Sequence, residues 1–372
     1  MTASSDLTSL VALTCELTRI GSPTGKEFTR LAFIKNWLEQ EAKVSVVQDE
    51  VGNLLVDFSN GAEPLMVVDA HVDTVFDDAT LEVEERDGRL YAPGIFDNTV
   101  ACAMLMHFAK KIRDEGGSLP VLLSWTVGEE GQGNLLGVRH LVETWKTRLE
   151  GGGAIILDLD LPLLCHVAVG SQRYRVEVNA KGGHSWNDAG ATQAIHIASQ
   201  IIQKLLHYPW TPSKVTCNIG KISGGTSINA LAENCEFLVD LRAVDAGDLE
   251  KATQHFQQTI QEFSSIQDLS MAIEDLGHRP AGSISETHPL VQELYDINQE
   301  LGLDSSFLPL STNANAFLGA GIPAVCIGIA HGGDYHRRSE YLDPESLAIG
   351  WQKLLLILER LRKKSFFSHD PS

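Results

Sequence analysis

Along this chain, strand-like apolar runs alternate with amphipathic helical stretches up to about residue 171, then give way to a different order, then resume near residue 280. The first stretch offers candidate strands Leu54–Phe58, Leu65–Ala70, Val121–Val127 and Ala154–Leu157, with candidate helices Thr99–Arg113 and Leu135–Thr144 between them. Near-continuous aliphatic strands of this kind are buried on both faces, which requires helices on either side of a mostly parallel sheet. The middle stretch reads differently. "RYRVEVNA" alternates as a half-buried strand, Ala189–Leu206 has helical periodicity, "KVTCNIGKI" and "CEFLVDLRA" are strands, Asp248–Ser264 is a helix and "LSMAIED" a strand. That order, β-α-β-β-α-β, is the ferredoxin-like unit. The first rhythm returns with helix Pro289–Leu301, a short helix after Ser311, strand Ile322–Ile329 and helix Pro344–Arg362. The expected fold is α/β: a mostly parallel α/β sandwich built from residues 1–171 and 280–372, interrupted by an α+β domain at 172–279.

Composition narrows the partners. With 49 Asp+Glu against 29 Lys+Arg, the 372 residues carry a formal charge of −20, so no basic face is available for nucleic acid or an anionic membrane surface. Cys15, Cys102, Cys165, Cys217, Cys235 and Cys326 show no CxxC spacing, and most lie in apolar runs, as free thiols of a reducing compartment do. The first 20 residues read as an amphipathic helix without the basic start of a signal peptide. The longest apolar run, Leu119–Val127, is nine residues, against roughly 20 needed to span a bilayer. The expected location is cytoplasmic.

Chemistry gathers where the apolar strands end. In "LMVVDAHVDTV", His71 and Asp73 are two apart and share one face of an extended strand, so one can bind a metal while the other orients it. A plain His–Asp pair in a turn gives the same pattern. In "LYAPGIFDNTV", Asp97 precedes a helix and is open to reading as an N-cap. In "LLSWTVGEEGQGN", Glu129 and Glu130 stand side by side after a buried strand, an arrangement that needs a cation or a shared proton. "AIILDLD" ends in Asp158 and Asp160, and "HGGDYHRRSEYLD" offers His331 and His336. Ligand sites of open α/β sheets lie beyond the carboxyl ends of the strands, where all of these residues fall.

Taken in order, His71-Val72-Asp73, Asp97, Glu129-Glu130, Asp158 and His336, with an interposed "KGGHSW", closely resemble the family of acetylornithine deacetylase, succinyl-diaminopimelate desuccinylase, aminoacylase, carboxypeptidase G and peptidase T. The resemblance covers nearly the whole chain and implies a co-catalytic metallopeptidase with two divalent ions. Asp97 would bridge them; His71 and Asp158 would complete the first ion's donors, and Glu130 and His336 the second's. Asp73 would orient His71. Asp160 and His331 stay open as rival ligands; Asp158 is preferred because it directly follows the apolar strand, and His336 because His336-Arg337-Arg338-Ser339-Glu340 is similar to the family's His-x-x-x-Glu pattern. Nitrogen and oxygen donors suit zinc, and also cobalt or manganese.

The resemblance further implies amide hydrolysis by a hydroxide bridging the two ions, with Glu129 as general acid and base, in an exopeptidase acting on small peptides or a deacylase of N-acyl amino acids. The inserted domain would be a lid through which two chains dimerise. His184 resembles a family histidine that stabilises the oxyanion in the partner's site; alternatively it caps the helix that follows. Asn229 and Arg242 fall where the family binds substrate carbonyl or carboxylate groups, although Arg242 can equally pair with Asp240 or Asp245. Two departures from the family pattern, Asn98-Thr99-Val100 after Asp97 and Asn313 in place of an Asp, are expected where substrate is read. A non-catalytic ligand-binding relative is the alternative function.

Overall fold

The computed structural model describes residues 3–211, 214–363 and 366, which form two compact units, Met1–Ala168 with Ser283–Ser372, and Val169–Gly282. Among the described residues no helix is long and apolar enough to cross a membrane.

In the first unit, four parallel strands lie side by side in the order Val121–Thr126, Met66–His71, Gly153–Asp160 and Ala324–Gly333. Antiparallel strands flank this centre, Leu54–Asp57 on one side and Tyr341–Asp343 on the other. The two faces of the centre are both apolar. Met66, Val68 and Ala70 pack with helices Val100–Glu115, Ala3–Thr18 and Leu347–Lys363, whereas Leu65 and Val67 pack with Leu136–Leu149 and Ala314–Gly319. Alternate side chains of one strand therefore enter two separate cores, and burial of each larger aliphatic contributes roughly 1.5–3 kcal/mol. With both faces covered by helices, the strand ends are the natural place for polar groups.

One strand pair is deliberately irregular. Leu157 pairs with Ile327 and Leu159 with Gly328, leaving Asp158 as an extra residue, and a second shift follows before Asp160 meets Ala330. Bulges of this kind re-aim a side chain and often sit beside active sites. Gly328 is required here, because a Cβ would stand 1.8 Å from the carbonyl oxygen of Asp160. Lys353, fully buried in the last helix, clamps the irregularity: its Nζ donates to the carbonyls of Leu161 and Gly328, both at 2.8 Å.

The second unit is an antiparallel sheet in the order Val215–Gly224, Asn234–Ala243, Gly170–Ala180 and Leu269–Arg279, with helices Ala194–His207 and Ala246–Phe263. Val176, Val178, Ile201, Phe237 and Phe256 form its core, and Tyr174 stacks on Phe256 with ring centroids 4.1 Å apart. The first helix begins five residues later than its periodicity suggests, because the Asp188–Ala191 turn, with Gly190 at φ 93°, precedes it. The second is capped by the Asp245 side chain accepting from the Asp248 amide at 3.0 Å, worth ~1 kcal/mol.

Candidate metal centre

His71 is the last residue of its strand and is buried. Its Nε2 lies 3.2 Å from Asp97 Oδ1 and 3.7 Å from Asp158 Oδ1. The other oxygen of Asp97, Oδ2, is 3.1 Å from His336 Nε2, which in turn is 3.2 Å from Glu130 Oε1. Asp97 thus faces one histidine with each carboxylate oxygen. Asp97 reaches this place from a loop of non-helical backbone just before helix Val100–Glu115, where the Asp97–Asn98 peptide is cis. His336 holds a left-handed backbone at φ 60°, a conformation that costs a non-glycine residue on the order of 1 kcal/mol and is retained at sites where the geometry matters.

Among the described residues, three overlapping groups could each hold a metal ion: His71, Asp97 and Asp158; Asp97, Glu130 and His336; and His71, Glu129 and Glu130, the ligand atoms of each lying within 4.8 Å of one another. The donors fit. Atoms bound tetrahedrally to zinc at 2.0–2.1 Å stand about 3.3 Å from each other, and the four His–carboxylate contacts run from 3.1 to 3.7 Å.

Electrostatics argues the same way. Burial pushes Asp158 up to about 7, the pull of His71 opposing it and the charges of Asp97 and Glu130 adding to it. Burial raises Asp97 too, but hydrogen bonds from His336 and His71 outweigh it and hold this carboxyl well below the ordinary range. Hydrogen bonds to Asp97 and Glu130 lift His336 to about 11. Carboxylates packed this closely leave negative charge that two imidazoles do not neutralise, which is the environment a pair of cations satisfies.

A polar frame supports the cluster. The Asp73 carboxylate lies 3.5 Å from His71 Nδ1, whose nearer partner is the backbone carbonyl of Asp73 at 3.0 Å. The carboxylate chiefly accepts the amides of Glu129 and Glu130, both at 2.9 Å, and the hydroxyl of Thr24 at 2.9 Å. Glu27 accepts from the Gly128 amide, and the buried guanidinium of Arg30 donates to Ile20 O, Val72 O and Thr99 Oγ1. Glu340, also buried, accepts the amides of Phe96 and Asp97 at 2.9 Å each, and burial pushes its carboxyl up to about 7. Thr24, Glu27 and Arg30 had no signal in the sequence, since a polar residue in a helix-opening segment reads as solvated surface.

The rivals Asp160 and His331 stand together, His331 Nδ1 at 3.0 Å from Asp160 Oδ1, and neither belongs to the three metal-holding groups. The bulge at Asp158 separates the two aspartates. The residues of the two departures from the family pattern are buried. Asn98 is buried and donates to the Leu157 carbonyl at 2.8 Å, Thr99 is buried against Gly94 and Arg30, and Asn313 is buried with its Nδ2 on Asp69 and Thr126. Their backbone and core partners, rather than a ligand, account for these residues.

In the second unit, His184 and Asn229 are brought together. Short strands pair Gly183 with Leu231 and His184 with Ala230, and the Ser185 amide donates to the Asn229 carbonyl at 2.9 Å. His184 Nδ1 accepts the amides of Trp186 and Asn187 at 3.2 and 3.4 Å, so the neutral ring carries its proton on Nε2, a donor in an exposed loop. It caps this turn rather than the following helix. Arg242 is elsewhere, on the sheet, with Nε donating to Asp240 Oδ2 at 2.8 Å.

Residues 67–360 match the model of peptidase family M20/M25/M40. The chain belongs to this family. M20 membership makes it a hydrolase of amide or peptide bonds. Two acetylornithine deacetylases are among its relatives: that of Myxococcus xanthus is 31% identical over 202 residues, 51% of either chain, and that of Edwardsiella ictaluri 27% identical over 313 residues, 79% of either chain. The chain thus spans about half the length of the first and more than three quarters of the second. A tripeptidase from Staphylococcus aureus shares the M20 fold at a TM-score of 0.82, covering 96% of this chain and 99% of its own at 20% identity.

Proposed function

We propose that this M20 hydrolase removes a terminal residue or acyl group from small peptides or N-acyl amino acids, using two divalent cations, zinc by donor chemistry. The observation that carries the reading is Asp97, which offers one oxygen towards His71 and the other towards His336. In this reading His71, Asp158 and Asp97 would hold the first cation, and Asp97, Glu130 and His336 the second. When bound, the cations supply Lewis acidity, lowering the pKa of a water and polarising the substrate carbonyl.

The chain's own groups do the rest. Glu129 is buried beside the centre; it stands with His71 and Glu130 in one of the three candidate groups, but the two donor sets of this reading are complete without it. It accepts the proton of the attacking water and returns it to the departing amine. Asp73, by gripping the Glu129 and Glu130 amides, keeps that carboxylate in register. His184 presents Nε2–H as a donor for the carbonyl oxygen as negative charge develops there. Asn229 beside it, and Arg242 once released from Asp240, engage the substrate carbonyl and carboxylate. The inserted unit pairs two chains, and His184 acts across that pair.

Glu129→Gln is expected to keep its zinc while kcat falls by roughly 10²–10⁴, read on a panel of dipeptides, tripeptides and N-acyl amino acids. A wild-type rate in a variant whose metal content is confirmed removes Glu129 from this role. Mixing inactive His184→Ala with inactive Glu129→Gln chains is expected to recover activity, because one composite site then holds both groups. Failure to recover in a mixed dimer contradicts action across the pair.

A further inference from the structure

Beneath His71 lies a buried polar triangle that the mechanism above does not use. Asp69 precedes His71 by two residues on the same face of its strand and is fully buried. Its Oδ1 accepts Ser124 Oγ at 2.6 Å and Thr126 Oγ1 at 3.0 Å, and its Oδ2 accepts Asn313 Nδ2 at 2.7 Å. The same Asn313 nitrogen donates to Thr126 Oγ1 at 2.8 Å, so the hydroxyl accepts from the amide and donates to the carboxylate. Asn313 Oδ1 is buried without a hydrogen-bond partner. Flipping the amide would set that oxygen against the Asp69 carboxylate, so Asp69 alone dictates which way Asn313 points.

Three segments meet in this triangle. Asp69 belongs to the strand that ends in His71, Thr126 ends the strand that leads through Val127 and Gly128 to Glu129 and Glu130, and Asn313 opens the short helix Ala314–Gly319. Asp69 accepts on both oxygens, so an amide in its place could offer Asn313 an acceptor only by turning its NH2 towards the Ser124 and Thr126 hydroxyls, which would then have to accept. Two carboxylates would repel across hydrogen-bond distance at this buried place, and the partner left unpaired would lose its bond.

We propose that Asp69 and Asn313 are a matched positioning pair that sets the spacing between His71 and the Glu129–Glu130 turn, and through it how tightly the centre holds its cations. The inference rests on the reading that these residues hold cations, and it concerns residues that touch no cation themselves. Metal donors must sit within a few tenths of an ångström of their places, and loss of a supporting group typically weakens binding 10- to 100-fold.

The test is a double-mutant cycle on the full chain with Asp69→Asn, Asn313→Asp and the double exchange, reading zinc affinity by chelator competition and the melting temperature of the metal-free protein. Each single change is expected to weaken zinc binding by about tenfold or more, and Asn313→Asp to lower the metal-free Tm, while the double exchange, which restores one carboxylate facing one amide, regains both. A merely structural role would move Tm without moving zinc affinity at temperatures well below it. Singles that bind zinc as tightly as the wild type, or a double exchange whose losses equal the sum of the singles, overturn the proposal. If the wild-type chain bound no zinc, the functional reading would fail, and the metal-free Tm cycle would still decide whether the two residues are coupled.

Discussion

Two arginines, one from each unit, are held in opposite ways. Arg30, in the unit with the candidate metal centre, is fully buried, its Nε and Nη1 donating to Ile20 O, Val72 O and Thr99 Oγ1. Arg242, in the inserted unit, keeps 41% of its side chain exposed and rests on a single neighbour, Asp240. The first ties together loops on either side of His71 and Asp97; in the proposed function the second would exchange Asp240 for a substrate carboxylate. Rigid donors for cations and adaptable groups for a variable substrate are different physical requirements, and the proposed function assigns them to different units.

The contrast is sharpest for Arg30→Ala. Loss of charged hydrogen bonds in a dry interior is expected to cost about 3 kcal/mol or more in denaturant unfolding, with zinc retention falling alongside. A loss below 1 kcal/mol would break the distinction between the two arginines. Lys353→Met comes next. Burial pushes the Lys353 amine down to about 7 from an ordinary 10.5. Between those pH values the unfolded chain carries a proton on this lysine that the folded chain does not, so folding stability rises with pH there by up to about 1.4 kcal/mol per unit. The difference in unfolding free energy between wild type and Lys353→Met should therefore climb from pH 7 to 9; a pH-independent difference contradicts the neutral buried amine. Arg242→Ala should be the mildest, within about 1 kcal/mol of wild type in stability, with KM raised for substrates bearing a free carboxylate and kcat little changed. An unchanged KM would leave Arg242 as a local partner of Asp240 only.

The unequal legibility of the two units has a physical cause. Strand–helix alternation and the β-α-β-β-α-β insertion were visible because apolar periodicity is local, and His71, Asp97, Glu129, Glu130, Asp158 and His336 stood out because each interrupts or follows an apolar run. The choice between Asp158 and Asp160 was not decidable in the same way: a strand predicts that both share one face, and only the bulge opposite Gly328 separates them. Arg30, Glu27 and Lys353 were silent for a related reason. Their partners are carbonyls and amides distant in the chain, such as the Lys353 contacts to Leu161 and Gly328, and no residue type advertises a bond to a remote backbone. Asn313 was noticed as a departure, but its buried triangle with Asp69 and Thr126 was not visible, because a change of residue type shows that surroundings differ without showing what they are.

Zinc bound per chain, measured by mass spectrometry on metal-reconstituted protein, tests the centre most directly. Two ions are expected for the wild type and for Asp160→Ala and His331→Ala, fewer for Asp158→Ala and His336→Ala, and the greatest loss for Asp97→Ala, whose carboxylate serves both positions. Two ions retained by Asp97→Ala, or an ion lost from Asp160→Ala or His331→Ala while Asp158→Ala and His336→Ala keep both, would contradict the assignment.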